Sequence, residues 1–185
     1  QSSIWLKIKV SKADGSNLDD DSKVGLVNYP VASLFNQVDV TLGGKLISSS
    51  TNTYAYRSII EILMNYGREA QTSQLTSGLF YKDTAGKMEE MDVTATPVLN
   101  KGLKARTEWS KTSQIVELQG RVHADLFNQE RFILNGVDIS VKFHRHKTEF
   151  ALLSADEAPN YRLSILDAIL YIKKVRIAPS PLNAI

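Results

Sequence analysis

The sequence predicts an all-β protein, an antiparallel β-sandwich of about eight strands with one α-helix inserted near residues 53–66. Apolar and polar residues alternate along most of the second half of the chain. A Gly-Gly pair and an Asn-Gly pair mark tight turns, and one stretch has the apolar period of a helix. With 185 residues, the chain is long enough for a single domain, residues 1–185, with a sizeable core.

The first strand is predicted at the amino end of the chain. Its buried positions are predicted to be Ile4, Leu6, Ile8 and Val10. A polar turn at residues 13–17 ends the strand, and the aspartates at 19–21 lack the alternating ligand spacing of a calcium loop. Because the alternation is present from the first residues, we expect the natural polypeptide to begin earlier, so that the first strand of the domain is missing here. The sheet edge where that strand would pair must then be covered by another strand.

Residues 35–50, FNQVDVTLGGKLISSS, predict a β-hairpin with Gly43 and Gly44 at its tip. The side chains predicted to be buried in its first strand are Val38, Val40 and Leu42, and Lys45 is predicted to be exposed. The two glycines supply the positive φ angles of a two-residue turn. A phosphate-binding loop is the alternative, but it needs Ser or Thr after its Gly-Lys pair, where this chain has Leu46.

The apolar period becomes helical after residue 50, and we predict the inserted helix there. Its apolar stripe consists of Tyr56, Ile59, Ile60, Leu63 and Met64. The polar residues at 51–53 are candidate amino-terminal caps, and Gly67 lies where a carboxy-terminal cap is expected. A stripe of this kind is expected to pack against the core.

Residues 87–113 are predicted to form a long surface connection with a short strand near Met91 to Thr96. A loose group of basic residues surrounds Trp109: Lys101, Lys104, Arg106 and Lys111. Proteins that bind single-stranded nucleic acid stack successive bases on several aromatic residues, and this group has one. We therefore interpret it as a solvated loop with a half-buried tryptophan.

The second half of the chain is predicted to be mostly strand. The predicted strands cover residues 115–127, 137–144, 150–153 and 161–177. Asn135-Gly136 marks the turn before the second of them, and Pro179 and Pro181 follow the last. In the last strand, Leu163, Ile165, Ile169, Tyr171, Val175 and Ile177 are predicted to share one face.

Composition excludes several kinds of site. The 22 basic and 20 acidic residues leave a formal charge of +2, so no strong field favours nucleic acid or anionic membranes. The chain has no cysteine, which excludes disulfides, thiolate metal ligands and cysteine nucleophiles. No apolar run approaches the ~18 residues that a membrane span needs. We expect no membrane span and no direct nucleic-acid site.

The histidines are the candidates for chemistry. His144 and His146 lie two apart in a predicted strand and share a face, while His123 lies on the polar face of an earlier strand. Three imidazoles on neighbouring strands can hold a catalytic metal, as in the cupins. The nearest acid, Glu149, is an odd number of residues from His146 and would face the other way, and the histidines share their faces with charged residues. We therefore predict no catalytic, cofactor or metal site, and no enzyme.

Four segments, in this order, resemble the first jelly roll of double-jelly-roll major capsid proteins, most closely those of the Polinton/Maverick elements and adintoviruses. They are VNYPVASLFNQVDVTLGGKLISSSTNTYAYRSIIEIL, SQLTSGLFYKDTAGKM, ILNGVDISVKFHRHKTEFALL and YRLSILDAILYIKKVRIAPS. The resemblance implies a jelly roll and a structural protein of the virion, in which three subunits form a pseudo-hexagonal capsomer of an icosahedral shell. The implied partners are further copies of the chain, as a homotrimer, and other capsid proteins.

The resemblance also implies that this chain is the amino-terminal half of its subunit, followed beyond Ile185 by a second jelly roll of about eight strands. Association would then rest on apolar and aromatic anchors such as Trp5, Phe35, Tyr54, Tyr56 and Trp109.

Two alternative functions remain. One is a cupin-like metalloenzyme that uses His123, His144 and His146, and the other is a jelly-roll module that binds a glycan or a receptor.

Overall fold

The computed structural model describes residues 2–175, which form eight strands in three antiparallel sheets and a few helices. The strands are β1 (Ser3–Lys12), β2 (Val24–Leu26), β3 (Phe35–Leu42), β4 (Lys45–Leu46), β5 (Ile115–Arg121), β6 (Ile139–Arg145), β7 (Leu152–Ser154) and β8 (Tyr161–Tyr171). The α-helices are α1 (Pro30–Ser33), α2 (Tyr54–Asn65), α3 (Arg68–Gln71), α4 (Lys101–Ser110) and α5 (Asp125–Asn128). Short 3₁₀ turns lie at Gln74–Gly78, Lys111–Ser113 and Thr148–Phe150.

The sheets have the strand orders β5-β1-β8, β2-β7 and β4-β3-β6. The prediction of a mainly antiparallel sheet protein is confirmed, and the arrangement is compatible with a β-sandwich. β1 is the central strand of its sheet and pairs along its length with β5 and β8. Both of its edges are therefore covered within the described chain.

The core is built on the inward face of β1, where the predicted alternation is confirmed. Leu6 and Ile8 are fully buried, opposite Leu118 and Val116 of β5. Burial of one such aliphatic side chain contributes about 1.5–3 kcal/mol. The repeated inward positions of β1 and β5 therefore stabilise this sheet.

The predicted hairpin is confirmed. Gly43 and Gly44 have φ angles of 54° and 78°, and Thr41 pairs with Leu46 across the two-residue turn. Val38 and Val40 are buried and Lys45 is exposed, as predicted. Leu42 was predicted to be buried but is half-buried, because it lies at the open end of the strand, beside the turn.

The last strand is confirmed as β8, but its side chains switch from one face of the sheet to the other part-way along it. Ile165 pairs with Ile8 while Asp167 pairs with Lys7, so one extra residue lies in β8 at this point. Such a bulge reverses the side-chain alternation beyond it. Ile169 and Tyr171 consequently face outward, so the prediction that they share the face of Leu163 and Ile165 is wrong. Ile177, Pro179 and Pro181 lie outside the described residues.

Helix α2 confirms the predicted helix, but the predicted stripe does not face the core. The buried side chains of α2 are Tyr54, Ala55, Ser58 and Ile62. Tyr56 and Met64 are 56% and 80% exposed, and Ile60 and Leu63 are also exposed. Ile59, half-buried, packs against the core from the border between the two faces. The prediction that the stripe packs on the core is therefore wrong for four of its five side chains.

Helix α4 is a second sizeable helix, which the sequence reasoning did not predict. It lies where a surface connection was predicted, and no strand forms between Met91 and Thr96. The side chain of Asn100 accepts a hydrogen bond from the Leu103 backbone N–H, which caps the helix. The expectation of a single inserted helix is thus corrected: α2 and α4 are both long helices, and α1, α3 and α5 are single turns.

Arg106 of α4 is fully buried. Its Nε donates to the Leu26 carbonyl oxygen at 2.8 Å, and one Nη donates to the Tyr81 carbonyl oxygen. The other Nη lies 2.8 Å from Asp83 Oδ1. The guanidinium therefore links α4 to β2 and to the segment 81–83, and its charge is compensated inside the fold.

Candidate functional site

A cavity of about 580 Å³ lies between the β3–β4 hairpin, the start of α2 and the segment 123–137. Its apolar wall is formed by Val38, Val40, Leu42, Ile47, Leu126, Phe132, Ile133, Leu134 and Val137. Its polar and charged wall includes Gln37, Asn52, Tyr54, Arg57, His123, Asp125 and Arg131. A cavity of this size with apolar walls and a few converging polar groups is typical of a small-molecule site.

Two hydrogen bonds hold the wall between the hairpin and α2 in place. Ser48 Oγ accepts from the Val40 backbone N–H at 3.0 Å. Gln37 Oε1 accepts from the Asn52 backbone N–H at 3.4 Å. Of the predicted caps at 51–53, Asn52 bonds to β3 through its backbone N–H, and Thr53, at the amino-terminal cap position, makes no side-chain capping hydrogen bond.

A network of four side chains lies beside the cavity. Arg57 Nε donates to Glu61 Oε1 at 2.7 Å, and an Arg57 Nη donates to the Asp125 carboxylate. His123 Nδ1 lies 2.7 Å from Glu61 Oε2, and the His123 backbone N–H donates to Tyr54 Oη at 3.2 Å. Since Arg57 and Glu61 lie one turn apart on α2, the helix presents both groups to the end of β5.

The network sets the protonation of its members. Burial lowers the pKa of His123, against the opposing effect of its hydrogen bond with Glu61. Burial of Glu61 acts to raise its pKa, but hydrogen bonds from Arg57 and His123 outweigh it and hold the pKa below 4.5. His123 is thus neutral near pH 7 and donates through Nδ1 to the Glu61 carboxylate.

The buried Nε2 of His123 has no hydrogen-bond partner among the described residues. A Glu–His pair orients an imidazole as a general base requires. Nucleophilic catalysis also requires a nucleophile within hydrogen-bond reach of that base, and no such contact is made at Nε2 within residues 2–175. The network joins α2 to the segment after β5, and His123 Nε2 is an acceptor without a partner among residues 2–175.

The position of His123 differs from its prediction. It was expected on the wet, polar face of a strand, but it is only 3% exposed. β5 ends at Arg121, and beyond that point strict alternation stops, so that Val122, His123 and Ala124 are all buried. The alternation of residues 115–127 predicted a longer strand than the one that forms.

The three histidines contact three different sets of groups. His123 contacts Glu61, whereas His144 Nε2 lies 2.8 Å from Asp39 Oδ2 across the β3–β6 pair. The ring of His146, past the end of β6, stacks on Phe150 at a centroid distance of 3.8 Å. Within residues 2–175, no group of three or more His, Asp or Glu side chains could hold a metal ion.

The predicted aromatic anchors fall into two groups. Phe35 and Tyr54 belong to the core, and Trp5 is half-buried on the outer face of its sheet. Tyr56 and Trp109 are more than half exposed, so Trp109 is less buried than predicted.

The basic group predicted around Trp109 does not form as a surface patch. Arg106 is buried, Lys104 pairs with Glu108 at 2.8 Å, and Lys111 pairs with Asp20 at 3.3 Å. No helix in the described part of the chain is long and apolar enough to cross a bilayer.

The sequence reasoning identified His123 but missed its partners Arg57, Glu61 and Asp125. The Arg-Glu pair at helical spacing was a usable signal, since i,i+4 pairs lie on one face of a helix. Its contact with His123 joins residues 62 positions apart, which no local pattern indicates.

Comparison with known proteins leaves the family open. No protein-family profile matches the chain, and no solved structure matches it. The chain is similar to the uncharacterized protein F54H12.2 of Caenorhabditis elegans, with 25% identity over 127 residues. The match covers 68% of this chain and 27% of that protein, so the chain spans about a quarter of the length of this relative.

Proposed function

We propose that the chain is a capsid-type jelly roll, a structural subunit of a viral or virus-derived shell. The observation that carries the proposal is the nesting of the strand pairs: β1 pairs with β8, β2 with β7, and β3 with β6, all antiparallel. Nested pairing of this kind results when one long antiparallel hairpin is rolled into two sheets, the arrangement of jelly rolls in viral capsid domains.

The innermost pair of the nest is replaced by an insertion. β4 pairs with β3, and β5 pairs with β1, instead of with each other. Between them the chain forms α2, α3 and α4, and α4 packs on β2 and β5. The proposal therefore places residues 47–114 as an insertion at the middle of the roll, where the sequence had indicated a helix.

An exposed apolar surface supports a role in association. The α2 outer face consists of Tyr56, Ile60, Leu63 and Met64, none of them charged and each more than half exposed. The Tyr56 ring contacts Phe150 edge-on at 5.6 Å, which continues this face onto the segment after β6. Contiguous exposed apolar patches on a folded domain mark interaction sites.

We assign the α2 outer face to contact with another copy of the subunit in a homotrimer. The charged members of α2 that approach it, Arg57 and Glu61, are engaged with Asp125 and His123. An uncharged aromatic and aliphatic patch has the composition found at the centre of permanent subunit interfaces. On this proposal the protein resides in the virion, and its partners are its own copies and other capsid proteins.

The cupin-like alternative needs His123, His144 and His146 on one ion, and the separate contacts of the three side chains do not favour it. For a binding module, the rings of Tyr56, Phe150 and His146 are in contact, but two of them are half-buried and they continue the α2 outer face. Of the three hypotheses, the shell proposal is the one that the nested strand pairing supports.

The test uses Leu63→Glu in the full-length protein, with Lys45→Glu, exposed at the hairpin tip, as the matched control. Size-exclusion chromatography with light scattering should show trimers for the wild type and for Lys45→Glu. Leu63→Glu should yield monomers with an unchanged circular dichroism spectrum, because the side chain is exposed. Trimers of undiminished stability in Leu63→Glu would contradict the assignment of this face.

A further inference from the structure

We propose that the cavity beside α2 binds a single-chain amphipathic carboxylate, a fatty acid, with its chain along the apolar wall and its carboxylate on Arg57 and Arg131. The shell proposal does not require this site, and the site does not use the α2 outer face.

The apolar wall is incompletely covered by the protein itself. Ile47, Phe132 and Leu134 line the cavity, yet they are 46%, 63% and 77% exposed. They approach the cavity from two sides, Ile47 from the hairpin and the other two from the segment before β6. An acyl chain between them would remove apolar surface from water on both sides, which is the main driving force for binding of such ligands.

The volume of the cavity limits the ligand to a single acyl chain. At about 580 Å³ the cavity lies in the middle of the range of sites for ligands of drug size. One acyl chain of medium length belongs to that class, whereas a two-chain phospholipid does not fit within it. The open side of the cavity leaves room for the end of a longer chain.

The charges of the lining select the head group. Arg57, Asp125 and Arg131 line the cavity. Arg57 is already paired with Glu61 and Asp125, so the uncompensated positive charge of the lining is that of Arg131. Arg57 donates to Glu61 through Nε and to Asp125 through one Nη. Its other Nη donates no hydrogen bond to any residue in 2–175. Arg131 forms no ion pair with any residue in 2–175.

A carboxylate satisfies these donors better than the other head groups would. Guanidinium binds carboxylate through paired, charge-assisted hydrogen bonds. An alcohol would leave the charge of Arg131 without a counter-ion, and an ammonium head would be repelled by that charge. The chemistry of the wall therefore favours the anion among amphiphiles of equal chain length.

The experiment titrates the purified protein with dodecanoate, dodecanol and dodecyltrimethylammonium by isothermal calorimetry. The two ionic amphiphiles are kept below their micelle concentrations and dodecanol below its solubility limit. We expect saturable binding of one dodecanoate per chain. Dodecanol should bind at least about tenfold more weakly, the factor that corresponds to about 1.4 kcal/mol of lost head-group interaction. The cationic amphiphile should show no saturable binding.

Two variants locate the ligand. Arg131→Gln should weaken dodecanoate about tenfold and leave dodecanol unchanged, whereas Arg162→Gln, on the exposed edge of β8, should bind both as the wild type does. Both arginines are exposed, so neither change should affect folding. Equal dodecanoate affinity in Arg131→Gln and Arg162→Gln, or equal binding of acid and alcohol by the wild type, would overturn the proposal. Either result leaves trimer formation, and thus the shell proposal, untouched.

Discussion

Helices α2 and α4 are of similar length, 12 and 10 residues, but the residues that each one buries do not follow from its apolar pattern. α2 has the apolar period that predicts a packed helix, yet four of its large apolar residues face outward. α4 is polar on average, yet it buries a whole arginine. Periodicity therefore predicts that a helix forms, whereas the partners supplied by the rest of the chain decide which face is buried.

The difference has a physical origin in each helix. The inward side of α2 carries small residues, Ala55 and Ser58, together with Ile62, which allow the helix to approach the sheet closely. In α4 the Arg106 charge is tolerated because Asp83 and two carbonyl oxygens surround it. Burial of a charge is unfavourable unless such partners are present.

The largest expected effect concerns the inside of α4. Arg106→Met keeps the apolar length of the side chain but leaves Asp83 and two buried carbonyl oxygens without their donor. We expect a loss of about 3–5 kcal/mol in the free energy of unfolding, measured by urea denaturation. Lys104→Met, which removes a surface pair with Glu108, should cost less than about 1 kcal/mol. Equal losses of unfolding free energy in the two variants would contradict the structural role of the buried Arg106 in α4.

Neighbouring residues of α2 provide the next test. Ile62 is fully buried and Leu63 is exposed, so the two alanine variants separate the inner face from the α2 outer face. Ile62→Ala should destabilise by about 2–5 kcal/mol. Leu63→Ala should change the stability of the monomer by less than about 0.5 kcal/mol, within the range of surface substitutions. Thermal and urea unfolding of both variants would sharpen the comparison, and the reverse order would contradict the orientation of α2.

A glycine in α4 gives a smaller effect. A Cβ at Gly102 would lie 2.4 Å from the Lys82 carbonyl oxygen, so Gly102→Ala must displace backbone. We expect a loss of about 1–3 kcal/mol, the usual range for overpacking. Gly67, just before α3, has open space where its Cβ would lie, and Gly67→Ala should be nearly neutral by the same urea measurement. A stable Gly102→Ala variant would mean that α4 packs less closely than described.

The two helices should also differ in their response to acid. The folded-state pKa of His123, beside α2, is lowered below 6.5, and that of Glu61 is lowered below 4.5. The unfolded chain therefore binds more protons at both sites, and stability falls as the pH drops below about 6.5 and falls further below about 4.5. Arg106 stays charged throughout this range. In His123→Gln, the free energy of unfolding should depend less steeply on pH between pH 7 and 5. The same slope as in the wild type would contradict the burial of a neutral His123.

Local patterns predicted the elements that depend on local chemistry. The β1 alternation, the Gly43-Gly44 turn and the extent of α2 follow from neighbouring residues, and all three are present. The bulge in β8 and the burial of Arg106 depend on partners far along the chain, which no local window contains. The same limit applies to the candidate site, where Glu61 and His123 meet only through the tertiary fold.

The most direct test of the shell proposal is negative-stain electron microscopy of the full-length polypeptide, together with its mass in solution. The proposal predicts trimeric particles of pseudo-hexagonal outline, or closed shells built from them, and their loss in Leu63→Glu. Dispersed monomers at every concentration, or assemblies that Leu63→Glu leaves unchanged, would contradict it.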